Sequence, residues 1–257
     1  MSSPTTALIT GASGGIGEEF AVQFASRGTG LVLVARRADK LEQLRMKLLE
    51  RHPGLSIDVI GADLSEPGSA AEVARTVEAA GRPIDVLINN AGSAFHGNFA
   101  DQDVAGVASQ VQLNAGSVAD LTARFLPPML QARRGLVINV ASTAAFQPVP
   151  TMAVYAATKA FVLSFTEALW QETRGSGVRV LALCPGATET GFFAAASEQP
   201  FMTRGRQTPQ QVVRTALAAI SKTSPTVVSG RMNQVTVIGP RFMPRRFVPA
   251  IARLTVR

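Results

Sequence analysis

The chain has 257 residues, 46% of them hydrophobic, enough to bury a large core within one domain. Its single cysteine, Cys184, excludes an intrachain disulfide framework and a thiolate metal cluster and fits a reducing compartment, by default the cytoplasm; no metal-ligand set is read from the chain. The net charge of +7 is uneven: ten basic and no acidic residues follow Glu198, whereas the preceding chain carries 15 basic and 18 acidic ones.

The first residues, Met-Ser-Ser-Pro-Thr-Thr, lack a basic n-region, and the apolar run behind them ends in glycines, not in a cleavage site; no export signal is read. No apolar stretch reaches the roughly 18 residues that a spanning helix needs. Short apolar, β-branched runs at 7–10, 31–35, 57–62, 86–89, 136–140, 178–183 and 235–237 alternate with helix-like segments. Alternation of this kind predicts βαβ units and a parallel sheet whose strands, buried on both faces, read as continuous apolar runs. The expectation is one doubly wound α/β Rossmann domain over 1–257, with a mostly parallel seven-stranded sheet and helices on both faces.

Behind the first strand stands Thr10-Gly11-Ala12-Ser13-Gly14-Gly15-Ile16-Gly17, then a predicted helix over 18–27. Gly11, Gly15 and Gly17 let the backbone turn tightly and approach a pyrophosphate, whose charge would rest on the helix N-terminus; Ser13 and Ile16 belong to the same turn. The alternative is a tight strand-to-helix turn with no ligand. At the end of the second strand, where an NAD-preferring fold carries an acid for the 2′-hydroxyl, this chain has Ala35, Arg36 and Arg37. Two guanidiniums and no carboxylate favour a 2′-phosphate, hence NADP(H) over NAD(H), unless both merely solvate the start of the next helix. Asp63, beside Leu64, would accept a hydrogen bond from an adenine amine or cap the next helix.

Farther along, Tyr155 and Lys159 lie one helical turn apart and leave the same face. A fixed ammonium near a phenol favours the phenolate, so the pair is equipment for proton transfer, or two ordinary neighbours on a solvated helix. Cys184 reads as a small buried hydrophobe, not a nucleophile. Residues 187–210, rich in Phe, Met and Ala from Gly191 to Met202, are expected to form a lid with an apolar surface for a lipophilic substrate, or to pack on themselves. The tail, 241–257, mixes apolar and cationic side chains; it would meet an anionic membrane peripherally, an acidic partner or a second subunit, and Pro244 and Pro249 argue against one long helix.

Taken together, these residues resemble the short-chain dehydrogenase/reductase family over nearly the whole chain. The likeness rests on Thr10 to Gly17, Asn89-Asn90-Ala91-Gly92, Asn114, Ser142, Tyr155, Lys159 and Pro185-Gly186-Ala187-Thr188, in that order. It implies an NADPH-dependent oxidoreductase interconverting a lipophilic ketone or aldehyde and its alcohol. By that resemblance Tyr155 is the general acid, Lys159 lowers its pKa and holds the ribose, Ser142 bonds the substrate oxygen, and Asn114 holds a water leading from Lys159 to solvent. Asn90, Ala91 and Gly92 would line the adenosine ribose and the central sheet, although Asn89 and Asn90 would equally serve buried backbone groups. Pro185, Gly186 and Thr188 would fix the nicotinamide carboxamide, or Pro185-Gly186 would be a turn only. A homo-oligomer, dimer or tetramer, is also implied. The rival is a catalytically silent dinucleotide sensor, against which the complete Asn114, Ser142, Tyr155 and Lys159 set weighs; nucleic-acid binding lacks any recognition motif.

Overall fold

The structure, a computed structural model, describes residues 5–192 and 206–255. Six of the seven expected apolar runs become strands of a seven-stranded sheet: β1 (Thr6–Thr10), β2 (Gly30–Ala35), β3 (Ile57–Gly61), β4 (Val86–Asn89), β5 (Gly135–Val140), β6 (Val178–Cys184) and β7 (Thr226–Val228). The sheet is parallel throughout, in the order β3-β2-β1-β4-β5-β6-β7. Between and after them run α1 (Gly15–Ala25), α2 (Ala38–Arg51), α3 (Ser69–Ala79), α4 (Val104–Val111), α5 (Ser117–Gln131), α6 (Ala153–Glu172), α7 (Pro209–Ala219), α8 (Arg231–Ile238) and α9 (Val248–Thr255).

Period-two alternation along the strands divides the core into two layers. Ala7 and Ile9 face Phe20 and Phe24 of α1, Leu41 of α2 and Val212 of α7. Leu8, Val32 and Leu87 face the other way, against Val73 of α3 and Leu121 and Phe125 of α5. Leu8, Ile9, Leu33 and Leu87 are fully buried, and each contributes about 1.5–3 kcal/mol over leaving it in water. Because β1 neighbours both β2 and β4, the winding reverses there, and the two strands splay their following loops apart at their C-terminal ends.

One expected strand is corrected. Residues 235–237 lie inside α8, and the seventh strand is instead Thr226–Val228, paired with Ala182 to Cys184 of β6. Two valines around a threonine carry β propensity, but such a preference is weak beside packing, and this stretch is helical around buried Val237. The first helix also starts earlier than 18, at Gly15, because the glycine turn itself supplies its first turn.

The tail is divided as its prolines suggest: a 3-10 turn (Gly239–Phe242) precedes the extended Met243, and α9 takes Pro249 in its first turn, where a missing N–H costs nothing. Of the expected lid, residues 193–205 lie outside the described residues; at its neck Thr188 pairs with Gln207. Among the described residues no helix is long and apolar enough to cross a membrane.

Candidate active site

A cleft of about 630 Å³ opens along the C-terminal edge of the sheet, running from Arg36 and Arg37 past the glycine turn to Tyr155 and Lys159. All the expected site residues except Gly17 and Asn114 line it. Those two stand directly behind its wall, for reasons their contacts make plain.

Gly17 packs so closely on the glycine turn that a Cβ there would collide with the Gly11 carbonyl oxygen. Gly11, at φ +65°, adopts the left-handed conformation that glycine takes without strain. Asn90 clasps this turn: its Nδ2 donates to the carbonyls of Thr10 (2.9 Å) and Gly11 (3.3 Å). Thr10 completes the clasp, its Oγ1 accepting from the backbone of Asn90 and Ala91 at 2.9 and 3.0 Å. Asn90 therefore does serve backbone groups, whereas Asn89 donates to the side chains of Thr122 and Asn139.

At the outer end Arg37 donates to Ser13 Oγ at 3.3 Å, and Arg36 stands 3.8 Å from Asp63, its side chain 69% exposed. Asp63 caps no helix, since Gly68 is the residue before α3. Its Oδ1 accepts from the Ser65 backbone at 3.0 Å and the Ser65 hydroxyl at 2.6 Å, which fixes the turn after β3 beside buried Leu64. Arg36 and Arg37 keep donors facing open cleft at the end of β2.

The inner end is buried. Asn114 is wholly inaccessible and Lys159 nearly so. Asn114 lies not on a long regular helix but in a π turn, Gln112–Gly116, between α4 and α5. The extra residue of such a turn rotates the helix face, and π turns recur at functional sites for that reason. Asn114 Oδ1 accepts from the Ser93 backbone (2.9 Å) while its Nδ2 donates to Ser93 O (2.8 Å) and Thr158 Oγ1 (3.2 Å). Thr158 in turn donates to the Tyr155 carbonyl at 2.8 Å. Gln110, one turn before Asn114, also donates to Ser93 O, at 3.1 Å. Sequence reasoning missed Gln110, Ser93 and Thr158; the i, i+4 spacing of Gln110 and Asn114 was the signal available.

Lys159 Nζ donates to the Val140 carbonyl at 2.8 Å and lies 5.9 Å from the centre of the Tyr155 ring. Ser142 caps a short 3-10 turn (Thr143–Phe146), its oxygen accepting from Ala144 N at 3.1 Å. The expected lowering of the phenol by the ammonium does not govern this geometry. Burial pushes Tyr155 up to about 12, against a downward pull from its hydrogen bond with Ser142. Burial likewise brings Lys159 down to about 8 and takes the Cys184 thiol up to about 12, leaving the thiol protonated and inert. Around Tyr155 stand Ala94, Val149 and Met152, with the Phe192 ring centre 5.8 Å from its own, an apolar wall beside the phenol.

The remaining motif closes the cleft floor. Pro185 O accepts from Thr143 N at 2.9 Å, and Thr188 Oγ1 donates to Gly186 O at 3.0 Å, so Pro185-Gly186 is indeed a turn as well as a lining. As a whole the donor set suits a dinucleotide: exposed guanidiniums at one end, a glycine turn feeding a helix N-terminus in the middle, and a buried ammonium and phenol at the other.

Comparison with known proteins agrees with this geometry. A family model described as short chain dehydrogenase matches residues 5–200. The very-long-chain 3-oxoacyl-CoA reductase of Bos taurus is 30% identical over 224 residues, which cover 86% of this chain and 70% of that protein. A short-chain dehydrogenase from Sphingobium yanoikuyae, solved in complex with NADPH, is 33% identical, with a TM-score of 0.83 over 92% of this chain and 93% of its own. A short chain dehydrogenase/reductase from Burkholderia phymatum, solved in complex with NAD, is 26% identical, with a TM-score of 0.82 over 99% of this chain and 97% of its own.

Proposed function

The chain belongs to the short-chain dehydrogenase family, nicotinamide-dinucleotide oxidoreductases that act on alcohol and keto groups, and from that premise we propose that it is an NADPH-dependent reductase of lipophilic ketones or aldehydes. The observation that carries the reading is the buried cluster of Tyr155, Ser142, Lys159 and Asn114 set against the apolar wall of Ala94, Val149, Met152 and Phe192.

When bound, the nicotinamide supplies the hydride. Tyr155 donates its proton to the substrate oxygen; a phenol held near 12 arrives fully protonated, as a general acid for reduction must. The Ser142 hydroxyl donates a hydrogen bond to the same oxygen, where negative charge develops. Lys159, charged below about 8, stabilises the phenolate left behind and would hold the nicotinamide ribose. Asn114 fixes the loop at Ser93 and, through Thr158, the first turn of α6, keeping phenol and ammonium in register; it would also hold the water that leads from Lys159 to solvent.

Gly11, Ser13, Gly15, Ile16 and Gly17 would carry the pyrophosphate, Arg36 and Arg37 the 2′-phosphate, and Asp63 with Leu64 the adenine. Asn90, Ala91 and Gly92 would line the ribose, and Pro185, Gly186 and Thr188 the carboxamide. Exposed Val104 and Val111 on α4 and Phe161 on α6 support a homo-oligomer joined along these helices. A panel of small polar and bulky apolar carbonyls, followed by nicotinamide absorbance with NADPH and with NADH, tests the reading. Turnover is expected for the apolar carbonyls with NADPH; turnover confined to polar ones, or a preference for NADH, would sink it.

A further inference from the structure

We propose that the segment from Arg231 to Ile251 is a docking face for an anionic phospholipid surface, an attachment that does not depend on which substrate the site takes. α8 rests on the protein through Asn233 and Val237, one turn apart, and through Gln234, whose Nε2 donates to Val228 O at 3.1 Å, while its remaining side chains stand exposed. Met232 is 75% exposed, Val235 66%, and Phe242, in the 3-10 turn that follows, 86%. Phe247 and Ile251 add two more exposed apolar groups at the start of α9. Water-facing side chains of this size, gathered along about twenty residues, exceed what scattered surface apolars explain.

The charge around them decides the occupant. Arg231, Arg245 and Arg246 are exposed, and no acidic residue follows Glu198 to neutralise them. The Arg246 guanidinium lies 4.7 Å from the centre of the Phe247 ring, so cation and apolar body stand together, as side chains at a headgroup boundary do. A second copy would meet this face with the same face across a two-fold axis, setting cations against cations. A protein partner would need pockets to receive projecting side chains, whereas lipid yields to them, and anionic headgroups supply the missing charge. α8 also sits on the rim of the cleft: Asn233 packs against Gly186 so tightly that a Cβ there would collide with it. Docking through this face would therefore hold the inner end of the cleft beside the lipid.

Flotation of the full chain with phosphatidylglycerol/phosphatidylcholine vesicles and with phosphatidylcholine vesicles alone tests this. Recovery is expected on the anionic vesicles only, falling with added salt. It should weaken about tenfold in Arg245→Glu/Arg246→Glu and by a similar factor in Met232→Ser/Phe242→Ser, with NADPH affinity unchanged as evidence of an intact fold. Equal recovery on both vesicles, or variants that float as well as the parent, would overturn it. Absence of recovery would too: loss of the oligomer in Met232→Ser/Phe242→Ser by light scattering would then assign the face to a second copy, and an unchanged oligomer to an acidic protein.

Discussion

The two ends of the cleft hold cations in opposite ways. Arg36 stands in water, its side chain 69% exposed and its nearest acid 3.8 Å away; Lys159 is buried, bonded to a backbone carbonyl and brought down to about 8. Exposed charge contributes little to the fold and is free to meet a ligand, so its removal should change affinity alone. A buried charge is set by its surroundings, so altering it should change chemistry and pH dependence. On the proposed reading the outer end would select the cofactor, and the inner end would tune a proton.

The sharpest contrast should come from Tyr155→Phe. Removing one oxygen at the inner end is expected to cut kcat by roughly 10²–10⁴-fold, the range of a general acid, while NADPH affinity measured by fluorescence stays near the parent's. Residual activity within tenfold of the parent would place the proton donor elsewhere.

Next in size is the pH response. Lys159 lies below its ordinary value of 10.5, so its ammonium is present below about 8 and lost as pH rises; the phenol stays protonated to about 12 and does not limit. The kcat/KM for carbonyl reduction should hold level below pH 8 and fall above it, and Lys159→Arg should move the fall beyond pH 10. A profile that is the same in both would remove Lys159 from the proton balance.

The smallest effect is expected at the outer end. Arg36→Ala should weaken NADPH about tenfold, the lower end for a charge-assisted bond, because water screens this exposed guanidinium, and should leave NADH and kcat nearly unchanged. Equal losses for the two cofactors in competition binding would show that Arg36 senses no 2′-phosphate.

Six strands were legible because buried parallel strands must be apolar without interruption, and the glycine turn because only glycine fits a carbonyl packed that closely. The seventh was misplaced since Val235-Thr-Val237 and Thr226-Val-Val look alike locally, and only pairing with β6 tells them apart. Within the site, residue identities were readable but the clasp of Thr10 and Asn90, the Ser93 bridge and the π turn under Asn114 were not. The first two join positions that chain distance keeps apart, 80 residues for Asn90 and Thr10 and 21 for Asn114 and Ser93, while the π turn is a local departure from the helix that no residue spacing signals.

By itself the sequence determined the doubly wound class, many of the residues that line the cleft and the absence of an acid directly after β2, because these depend on side-chain chemistry at local spacings. Tertiary structure alone decided the balance of charge at Tyr155 and Lys159. Proximity along α6 predicted an acidified phenol, but desolvation is a property of everything packed around a group, and here burial is the largest influence on the phenol and pushes it up.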